Sequence, residues 1–361
     1  MKKVALAHDH LNQFGGAEQV LSALHQLYPQ APIYTLLYNE VLTGDAFKNC
    51  DIRTSFIQKL PASQKLFKWY LSLMPAAVEN LDLSDYDLVI SSCSALIKGL
   101  VLKPDTKHIC YCHSPTRYLW SDTHQYAEEL EQPWFVKKLL PMVLTKLRLW
   151  DQIAAQRVDY FIANSKYVAR RIAKYYRRPS TIIYPPVPLD NFKATDEIDD
   201  YYLVVSRLRP YKRVDLAIKA FNKLGMPLKI IGVGEQYTEL KKIAKDNIEF
   251  VGQASEQEKA HYLARCRALI FPQEEDFGIT AVEALASGRP VIAYAKGGAM
   301  EIIADGISGK FFTEQSWEAL ADAVIRFDYK SFDGSKLRQA AEKFSSQRFG
   351  DELSDFMSKL K

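Results

Sequence analysis

Short apolar segments alternate with amphipathic helical segments along almost the whole chain, and this alternation restricts the fold more than any other feature. In the first half we predict strands at Val4–Ala7, Leu88–Ser91, His108–Cys112 and Tyr160–Ala163. In the second half we predict strands at Tyr202–Ser206, Leu228–Gly232, Ile248–Val251, Ala268–Phe271 and Val291–Tyr294. Strands separated by helices form parallel sheets that helices cover on both faces. The pattern therefore predicts an α/β fold.

A proline-rich, charged stretch divides this pattern into two halves. Residues 184–200 read YPPVPLDNFKATDEIDD, a composition typical of a linker. A chain of 361 residues is also long for a single core. We therefore predict two Rossmann-like, doubly wound domains, residues 1–186 and 187–344, that face each other across a cleft. The helical pattern of residues 345–361 predicts a C-terminal helix.

Charge and composition exclude several classes of protein. The formal net charge of +4 is too small an excess to favour a nucleic-acid partner. The N-terminal sequence MKKVALAHDHL meets polar residues too early for a secretory signal, and no run of about 18 apolar residues predicts a membrane span. The five cysteines are odd in number and contain no C-x-x-C motif, as expected in a reducing compartment. We expect a cytoplasmic enzyme.

Residues 271–293 carry the strongest functional pattern, FPQEEDFGITAVEALASGRPVIA. The pattern predicts a helix over Thr280–Ser287, with Gly288 just beyond its end. Backbone N–H groups at a helix N-terminus bind phosphate well. Glu275 precedes this helix and Glu283 lies on it, so the two carboxylates could hold sugar hydroxyls on either side of a diphosphate. A surface helix with two acidic residues is the alternative, which this spacing alone would not exclude.

The same segment resembles the retaining glycosyltransferases of family 4, whose signature is two glutamates separated by seven residues, with Phe-Gly after the first. The resemblance implies the two-domain GT-B architecture, with a C-terminal helix that often returns to the first domain. It implies that Glu275 binds hexose hydroxyls and that Glu283 binds ribose hydroxyls. The backbone of Phe277, Gly278 and Ile279 would hold the phosphate.

Two cations open the second half of the chain, in the segment YLVVSRLRPYKRVDLAIKAF. Arg207 and Lys212 lie between a strand and a helix start, where the helix dipole disfavours a cation, and this misfit favours a binding role. Arginine binds phosphate through two bonds and lysine adds a compact charge. The segment resembles the family pattern whose Arg and Lys bind the donor diphosphate. Arg209 and Arg213 are weaker candidates, and two solvated cations are the alternative.

Two further candidates lie in the first half. Gly15 and Gly16 precede a helix predicted from about Ala17, where glycine lets the backbone approach a ligand closely. A plain turn is nearly as well supported, but the similar glycines of the family lie over the donor phosphate and the acceptor. His113 follows a strand in YCHSPTRYLWSD, which resembles a mannosyltransferase-like branch of the family. A lone histidine is more often structural; the resemblance implies that this one positions the sugar.

Four other patterns are weaker. Residues 8–10 read His-Asp-His, but only alternate residues of a strand share a face, so we favour a cleft-lining loop over a metal site. Residues 85–87 match the D-x-D spelling of metal-dependent transferases, in the wrong half of the chain for donor binding. Residues 232–234, Gly-Val-Gly, suit either nucleotide contact or a tight turn. In GGAMEII, residues 297–303, Glu301 suits a helix start.

Two basic segments with tryptophan raise the question of membrane contact. Residues 59–75 and 134–150 mix lysines with leucine and aromatic residues, as amphipathic segments at a membrane interface do. The alternative is a pair of domain helices whose apolar faces are buried. Because both segments lie in the domain expected to bind the acceptor, we weigh peripheral membrane contact and buried helices equally.

The combined interpretation is a retaining, metal-independent glycosyltransferase without a cofactor. It would move a hexose from a nucleoside diphosphate sugar, with GDP-mannose favoured, to a hydroxyl of a glycan, including a lipid-linked one. It would work in the cytoplasm or at the inner face of the plasma membrane, in the synthesis of a cell-surface polysaccharide or glycoconjugate. Two alternatives stay open: a nucleotide-sugar epimerase, which needs no acceptor, and a non-catalytic binding partner of a membrane assembly.

Overall fold

A computed structural model describes residues 2–123 and 134–360. The chain forms two compact units. The N-terminal unit contains Met1–Pro185 and also Glu352–Lys361, and the C-terminal unit contains Pro186–Asp351. Each unit has its own parallel sheet and its own apolar core.

The N-terminal unit is built on a seven-stranded parallel sheet in the order β3-β2-β1-β4-β5-β6-β7. Its strands are β1 (Val4–His8), β2 (Ile33–Thr35), β3 (Ile52–Thr54), β4 (Leu88–Cys93), β5 (Lys107–Cys112), β6 (Tyr160–Ala163) and β7 (Thr181–Ile182). Its helices before the division are α1 (Gly16–Leu27), α2 (Glu40–Thr43), α3 (Ser63–Leu66), α4 (Met74–Glu79), α5 (Trp134–Gln156) and α6 (Lys166–Tyr176). The strand order reverses between β1 and β4, the place where ligands bind in doubly wound sheets.

The C-terminal unit is built on a six-stranded parallel sheet in the order β10-β9-β8-β11-β12-β13. Its strands are β8 (Tyr202–Val205), β9 (Leu228–Ile231), β10 (Ile248–Gly252), β11 (Leu269–Phe271), β12 (Val291–Tyr294) and β13 (Gly309–Phe312). Its helices are α7 (Val214–Leu224), α8 (Tyr237–Ile243), α9 (Glu256–Arg265), α10 (Ile279–Ala286), α11 (Ala299–Ile302), α12 (Trp317–Ile325) and α13 (Gly334–Ala341). The last helix, α14 (Ser346–Ser358), spans the division between the units.

The nine predicted strands are confirmed, each with ends within two residues of the prediction. Ser255 and Glu258 form a capping box at the start of α9. Strands β2, β3, β7 and β13 were not predicted. Each of them lies in the outer part of its sheet.

Most of the predicted linker is ordered structure of the C-terminal unit. The division falls between Pro185 and Pro186, and Phe192 is already fully buried. Further along, Arg265 pairs with Glu197 and Asp199. The division between the units therefore lies inside the predicted linker, residues 184–200, and the rest of that segment packs on the C-terminal unit, where Arg265 binds its acidic residues.

Candidate active site

In the C-terminal unit, two predicted ligands of the donor are in contact. Lys212 ends a single turn, Pro210–Lys212, after β8, and Glu275 lies on the loop after the neighbouring strand β11. The Lys212 Nζ donates a hydrogen bond to Glu275 Oε1. Gln273 Nε2 donates to the same oxygen at 3.2 Å. Because both strands are parallel, their carboxyl ends bring a cation and a carboxylate to one edge of the sheet.

The loop that carries Glu275 is held by a second loop made of glycines. Gly298 N donates to Glu275 O at 2.8 Å. A β-carbon at Gly297 would collide with the carbonyl oxygen of Glu275, and one at Gly298 would collide with the backbone of Phe277. The glycines at 297–298 are therefore needed for close packing against residues 275–277.

The helix predicted at Thr280–Ser287 is confirmed as α10, which begins at Ile279. Gly278 has a φ of 109° at its N-cap, a conformation that favours glycine. Gly288, with a φ of 70°, follows the helix as predicted. Helix α10 thus begins immediately after the loop that carries Glu275. The free backbone N–H groups at such a helix N-terminus are suited to bind a phosphate.

Glu283 is buried on α10 and has a cationic partner that the sequence did not reveal. Lys259 of α9 donates from Nζ to Glu283 Oε1 at 2.8 Å. The same ammonium lies 2.9 Å from Glu256. Burial raises the pKa of Glu283, and the Lys259 charge opposes that rise. The pair joins residues 24 positions apart on two helices, so no local pattern could predict it.

Arg207 lies on an exposed part of the loop after β8, and a glycine turn supports that loop. A β-carbon at Gly232 would collide with Ser206 O, and one at Gly234 would collide with the backbone of Leu208. These collisions favour the tight-turn interpretation of residues 232–234. Their contribution to the candidate site is to fix the backbone on either side of Arg207.

Arg213 has a structural role. Its Nε donates to Asp215 at 3.1 Å, and a terminal nitrogen donates to Gln315 at 3.3 Å. Since these bonds tie the guanidinium to the start of α7, Arg213 is a poorer candidate for phosphate than Lys212.

In the N-terminal unit, His113 and His8 share Ser92 as a hydrogen-bond partner, and His8 lies beside a buried carboxylate. His113 Nε2 lies 2.8 Å from Ser92 Oγ, and Ser92 Oγ lies 3.1 Å from His8 Nδ1. His8 Nε2 in turn lies 3.5 Å from Glu18 Oε1. Ser92 and Glu18 were not among the predicted site residues, and His8 was predicted to lie in a cleft-lining loop in preference to a metal site.

Glu18 also belongs to the glycine turn. Helix α1 begins at Gly16, with Gly15 as the residue before it, within one residue of the prediction. Glu18 lies in the first turn of that helix and is 2% exposed. Glu18 thus places the predicted glycine turn beside His8, which shares Ser92 with His113.

Asp9, between the two histidines, has a structural role in the loop that follows β4. Its buried carboxylate accepts hydrogen bonds of 2.6–2.8 Å from four consecutive backbone N–H groups, those of Ser94, Ala95, Leu96 and Ile97. Asp87, of the D-x-D spelling, accepts from Lys3 N at 2.7 Å. Within residues 2–123 and 134–360, no three His, Cys, Asp or Glu side chains cluster as metal ligands.

A second buried carboxylate fixes the segment after His113. Asp151 of α5 is fully buried and pairs with the ammonium of Lys98. It also accepts bonds of 2.8–2.9 Å from the side chains of Thr116, Trp120 and Tyr176. Because Thr116 and Trp120 follow His113 closely, this network holds the YCHSPTRYLW segment in place.

Two family models match consecutive parts of the chain. A model described as Glycosyltransferase Family 4 matches residues 14–191, and one described as Glycosyl transferases group 1 matches residues 189–344. The two matches meet within a few residues of the division between the units.

Similar proteins include glycosyltransferases from all three domains of life. An uncharacterized glycosyltransferase of Methanocaldococcus jannaschii is 28% identical over 214 residues, 56% of this chain and 60% of that protein. The alpha-1,3/1,6-mannosyltransferase ALG2 of Dictyostelium discoideum is 24% identical over 332 residues, 76% of each protein. The O-antigen chain mannosyltransferase C of Escherichia coli is 29% identical over 35% of this chain and 36% of that protein.

Solved structures share the fold over the full length. Anabaena HepE, in complex with UDP and glucose, superposes with a TM-score of 0.74 at 17% identity, covering 100% of both chains. Sucrose-phosphate synthase of Thermosynechococcus elongatus has a TM-score of 0.72 at 18% identity, covering 98% of both. These identities show the fold alone. The family models and the relatives establish that the chain is a glycosyltransferase of family 4, and the solved structures establish the GT-B fold of two Rossmann-like domains.

Proposed function

We propose that this glycosyltransferase transfers a hexose with retention of configuration from a nucleoside diphosphate sugar to a glycan hydroxyl. The contact between Lys212 and Glu275 carries the proposal. A donor offers each group a partner: the diphosphate can bind the ammonium in place of the carboxylate, and sugar hydroxyls can donate to the released carboxylate. The start of α10 adds backbone N–H groups for the phosphate next to them.

The proposed reaction needs no protein nucleophile. As the bond to the sugar breaks, negative charge grows on the β-phosphate, and Arg207 and Lys212 would stabilise it. The departing phosphate would take the proton of the acceptor hydroxyl on the same face of the sugar. Glu275 would hold the hexose, Glu283 the ribose, and His113 would position the sugar. The N-terminal unit would bind the acceptor.

Mannose from GDP-mannose is the proposed donor substrate. The similarity to ALG2 mannosyltransferases and to an O-antigen mannosyltransferase supports mannose. The solved relative HepE holds UDP and glucose, so UDP-glucose is the competing donor. A thermal-shift panel of nucleoside diphosphate sugars separates them, since a ligand that binds only the folded protein raises its melting temperature. A larger shift with UDP-glucose than with GDP-mannose would contradict the proposed donor.

The stereochemistry of transfer tests the mechanism. With the preferred donor and an oligosaccharide acceptor, the product should keep the anomeric configuration of the donor, as read by NMR coupling constants. An inverted product would refute retention. Incubation of donor alone should leave the sugar unchanged; an isomerised sugar would favour the epimerase, and binding without turnover would favour a non-catalytic role.

We also propose that the N-terminal unit contacts a membrane surface carrying the acceptor lipid. Helix α5 buries Leu144 and Leu147 but exposes four large apolar side chains, Leu139, Met142, Leu149 and Ile153. Leu66, Trp69 and Leu73 are exposed beside exposed lysines in residues 63–73. Buried helices alone do not account for these exposed groups, whereas an anionic lipid surface suits both the apolar and the basic ones. No helix in the described residues is long and apolar enough to cross a membrane.

Sedimentation with lipid vesicles tests this contact. Trp69→Glu and Leu149→Glu should each reduce binding to anionic vesicles, because each places a negative charge on the proposed surface. The matched control is Ile325→Glu, which changes an equally exposed residue on α12 of the C-terminal unit. Equal binding by all variants would contradict the proposal.

A further inference from the structure

Positive charge is concentrated in one segment of the N-terminal unit. Residues 124–178 contain eleven Lys and Arg side chains against five Asp and Glu, a net charge of +6. The remaining residues hold 36 Lys and Arg against 38 Asp and Glu, so the rest of the chain is slightly acidic. A charge excess that is confined to one part of a chain is typical of a surface that binds a polyanion or an anionic membrane.

Helix α6 and the residue after it display part of this charge as a basic stripe, formed by Arg170, Lys174 and Arg177. These three side chains are exposed and lie four and three positions apart, so they share the outer side of the helix. The opposite side of α6 is buried and includes Val168 and Ile172. Because α6 contains no Asp or Glu, no carboxylate of the helix neutralises the basic stripe.

The neighbouring helix α5 exposes apolar side chains beside the basic stripe. Because connections between parallel strands are right-handed, the strand order β5-β6-β7 places α5 and α6 on the same face of the sheet. At the ends of the two helices, Gln156 Nε2 donates a hydrogen bond to the carbonyl oxygen of Tyr176 at 2.9 Å. Leu149 and Ile153 of α5 are 59% and 60% exposed. One surface of the N-terminal unit therefore combines basic and apolar groups.

The two carboxylates that the structure describes in this segment lie away from that surface. Asp151 of α5 is fully buried and pairs with Lys98. Asp159, in the turn after α5, accepts a hydrogen bond from the backbone N–H of His108 at 2.7 Å. Neither carboxylate is on the outer side of α5 or α6. The other three carboxylates of the segment lie outside the described residues: Glu128, Glu129 and Glu131.

We propose that the outer face of α6 binds the phosphate groups of anionic phospholipids, with Arg170, Lys174 and Arg177 as the headgroup ligands. Guanidinium and ammonium groups bind lipid phosphate, and the exposed apolar side chains of α5 enter the membrane interface beside them. These apolar neighbours favour a membrane over a soluble polyanion, which would leave them in water. The inference deepens the membrane contact proposed above and rests on it, but it does not depend on glycosyl transfer.

Vesicle sedimentation over a range of salt concentrations tests the basic stripe. Each cation near an anionic membrane contributes roughly fivefold to binding. A triple variant with Arg170→Gln, Lys174→Gln and Arg177→Gln should therefore bind vesicles of phosphatidylglycerol and phosphatidylcholine on the order of 100-fold more weakly than the wild type. Added salt should weaken binding of the wild type much more than binding of the variant. Arg170→Lys combined with Arg177→Lys keeps both charges and should preserve binding.

The C-terminal unit offers a matched control. Lys223→Gln, Lys241→Gln and Lys242→Gln together remove three exposed cations from α7 and α8 and should leave vesicle binding unchanged. Both triple variants should keep the melting temperature of the wild type, because every changed side chain is exposed. Wild-type binding by the stripe variant, or an equal loss in the control, would overturn the proposal. Binding to a soluble acidic polysaccharide without binding to anionic vesicles would overturn it as well.

Leu149→Glu separates this inference from the membrane contact on which it rests. Loss of vesicle binding in Leu149→Glu, with wild-type binding in the stripe variant, would overturn the role of α6 alone. Absence of binding by the wild-type protein to any vesicle would refute the membrane contact together with this inference. Because sedimentation needs neither donor nor acceptor, these outcomes are independent of whether the protein transfers a hexose.

Discussion

The buried pair of Lys259 and Glu283 allows a quantitative test of the proposed ribose subsite. The Glu283 side chain is 3% exposed and that of Lys259 is 12% exposed. Lys259→Met keeps an unbranched side chain of similar length but removes the charge. A buried charge whose partner is removed typically destabilises a protein by about 3–5 kcal/mol.

The carboxyl group can lower that cost by taking up a proton. Protonating a carboxyl with an ordinary pKa of about 4.3 costs about 3–4 kcal/mol at pH 7 but only about 1 kcal/mol at pH 5. Because the variant can always take up this proton, the cost of protonation is the upper limit of its loss of unfolding free energy at each pH. With its pKa raised in the folded variant, Glu283 holds a proton that the unfolded chain loses above its own pKa. The stability of the variant therefore falls as pH rises from 5 to 7 relative to the wild type.

Urea unfolding, monitored by the hydrogen exchange of backbone amides in β8 and β11, measures this loss of unfolding free energy within the C-terminal unit. The matched control is Lys229→Met, whose partner Glu249 is 56% exposed and whose loss should stay below about 1 kcal/mol. A loss that does not change between pH 5 and 7, or one that at pH 7 is no larger than the control's, would refute the reasoning. At pH 7 the variant should also bind nucleoside diphosphate more weakly, because a protonated Glu283 is a poorer acceptor for ribose hydroxyls.

Four other outcomes are expected. Arg207→Ala and Lys212→Ala should each lower kcat/KM, with a loss of transition-state stabilisation on the order of 2–4 kcal/mol and little change in melting temperature. Near-normal transfer by both variants would contradict the assignment of these residues to the phosphate. In calorimetry, Glu283→Ala should weaken binding of both the nucleoside diphosphate and the full donor. Glu275→Ala should reduce only the extra affinity that the full donor has over the nucleoside diphosphate. The reverse pattern would mean that the donor lies in the opposite orientation. Transfer should survive EDTA, and a loss that magnesium or manganese restores would refute metal independence. Burial lowers the pKa of His108 from 6.5 to about 4. Between these pH values the unfolded chain binds a proton that the folded protein does not, so acidification should lower the unfolding free energy by about 3 kcal/mol. His108→Gln should flatten that part of the plot of stability against pH.

The predicted part of the fold is the part that local patterns encode. A strand such as Leu228–Ile231 or a helix such as Val214–Leu224 shows its apolar period within a few residues. Glycines and caps mark the ends, as Gly288 does after α10. Parallel topology then places the loops that follow β8 and β11 at one edge, so the contact between Lys212 and Glu275 follows from the order of the elements.

What the sequence did not predict is the partner of each buried charge. Glu283 binds Lys259 from another helix, and Asp151 binds Lys98 across 53 positions of the chain. Glu18 and His113 are 95 positions apart and are joined through two other side chains. A charged or polar residue in such a pair looks like any other in the sequence, because its burial depends on how distant elements pack.

The structure also distinguishes residues that would contact a ligand from residues that support the loops carrying them. Glu275 and Arg207 lie on loops whose backbones pack against glycine turns at 297–298 and 232–234. The glycine turns lack side chains that could bind a substrate, yet a single β-carbon there would displace the loop in front. Asp151 has the same function for the segment after His113, through side-chain bonds instead of backbone packing. A substitution in these supporting groups would therefore reduce transfer through geometry, and its effects on nucleotide affinity and on unfolding distinguish it from the loss of a ligand contact.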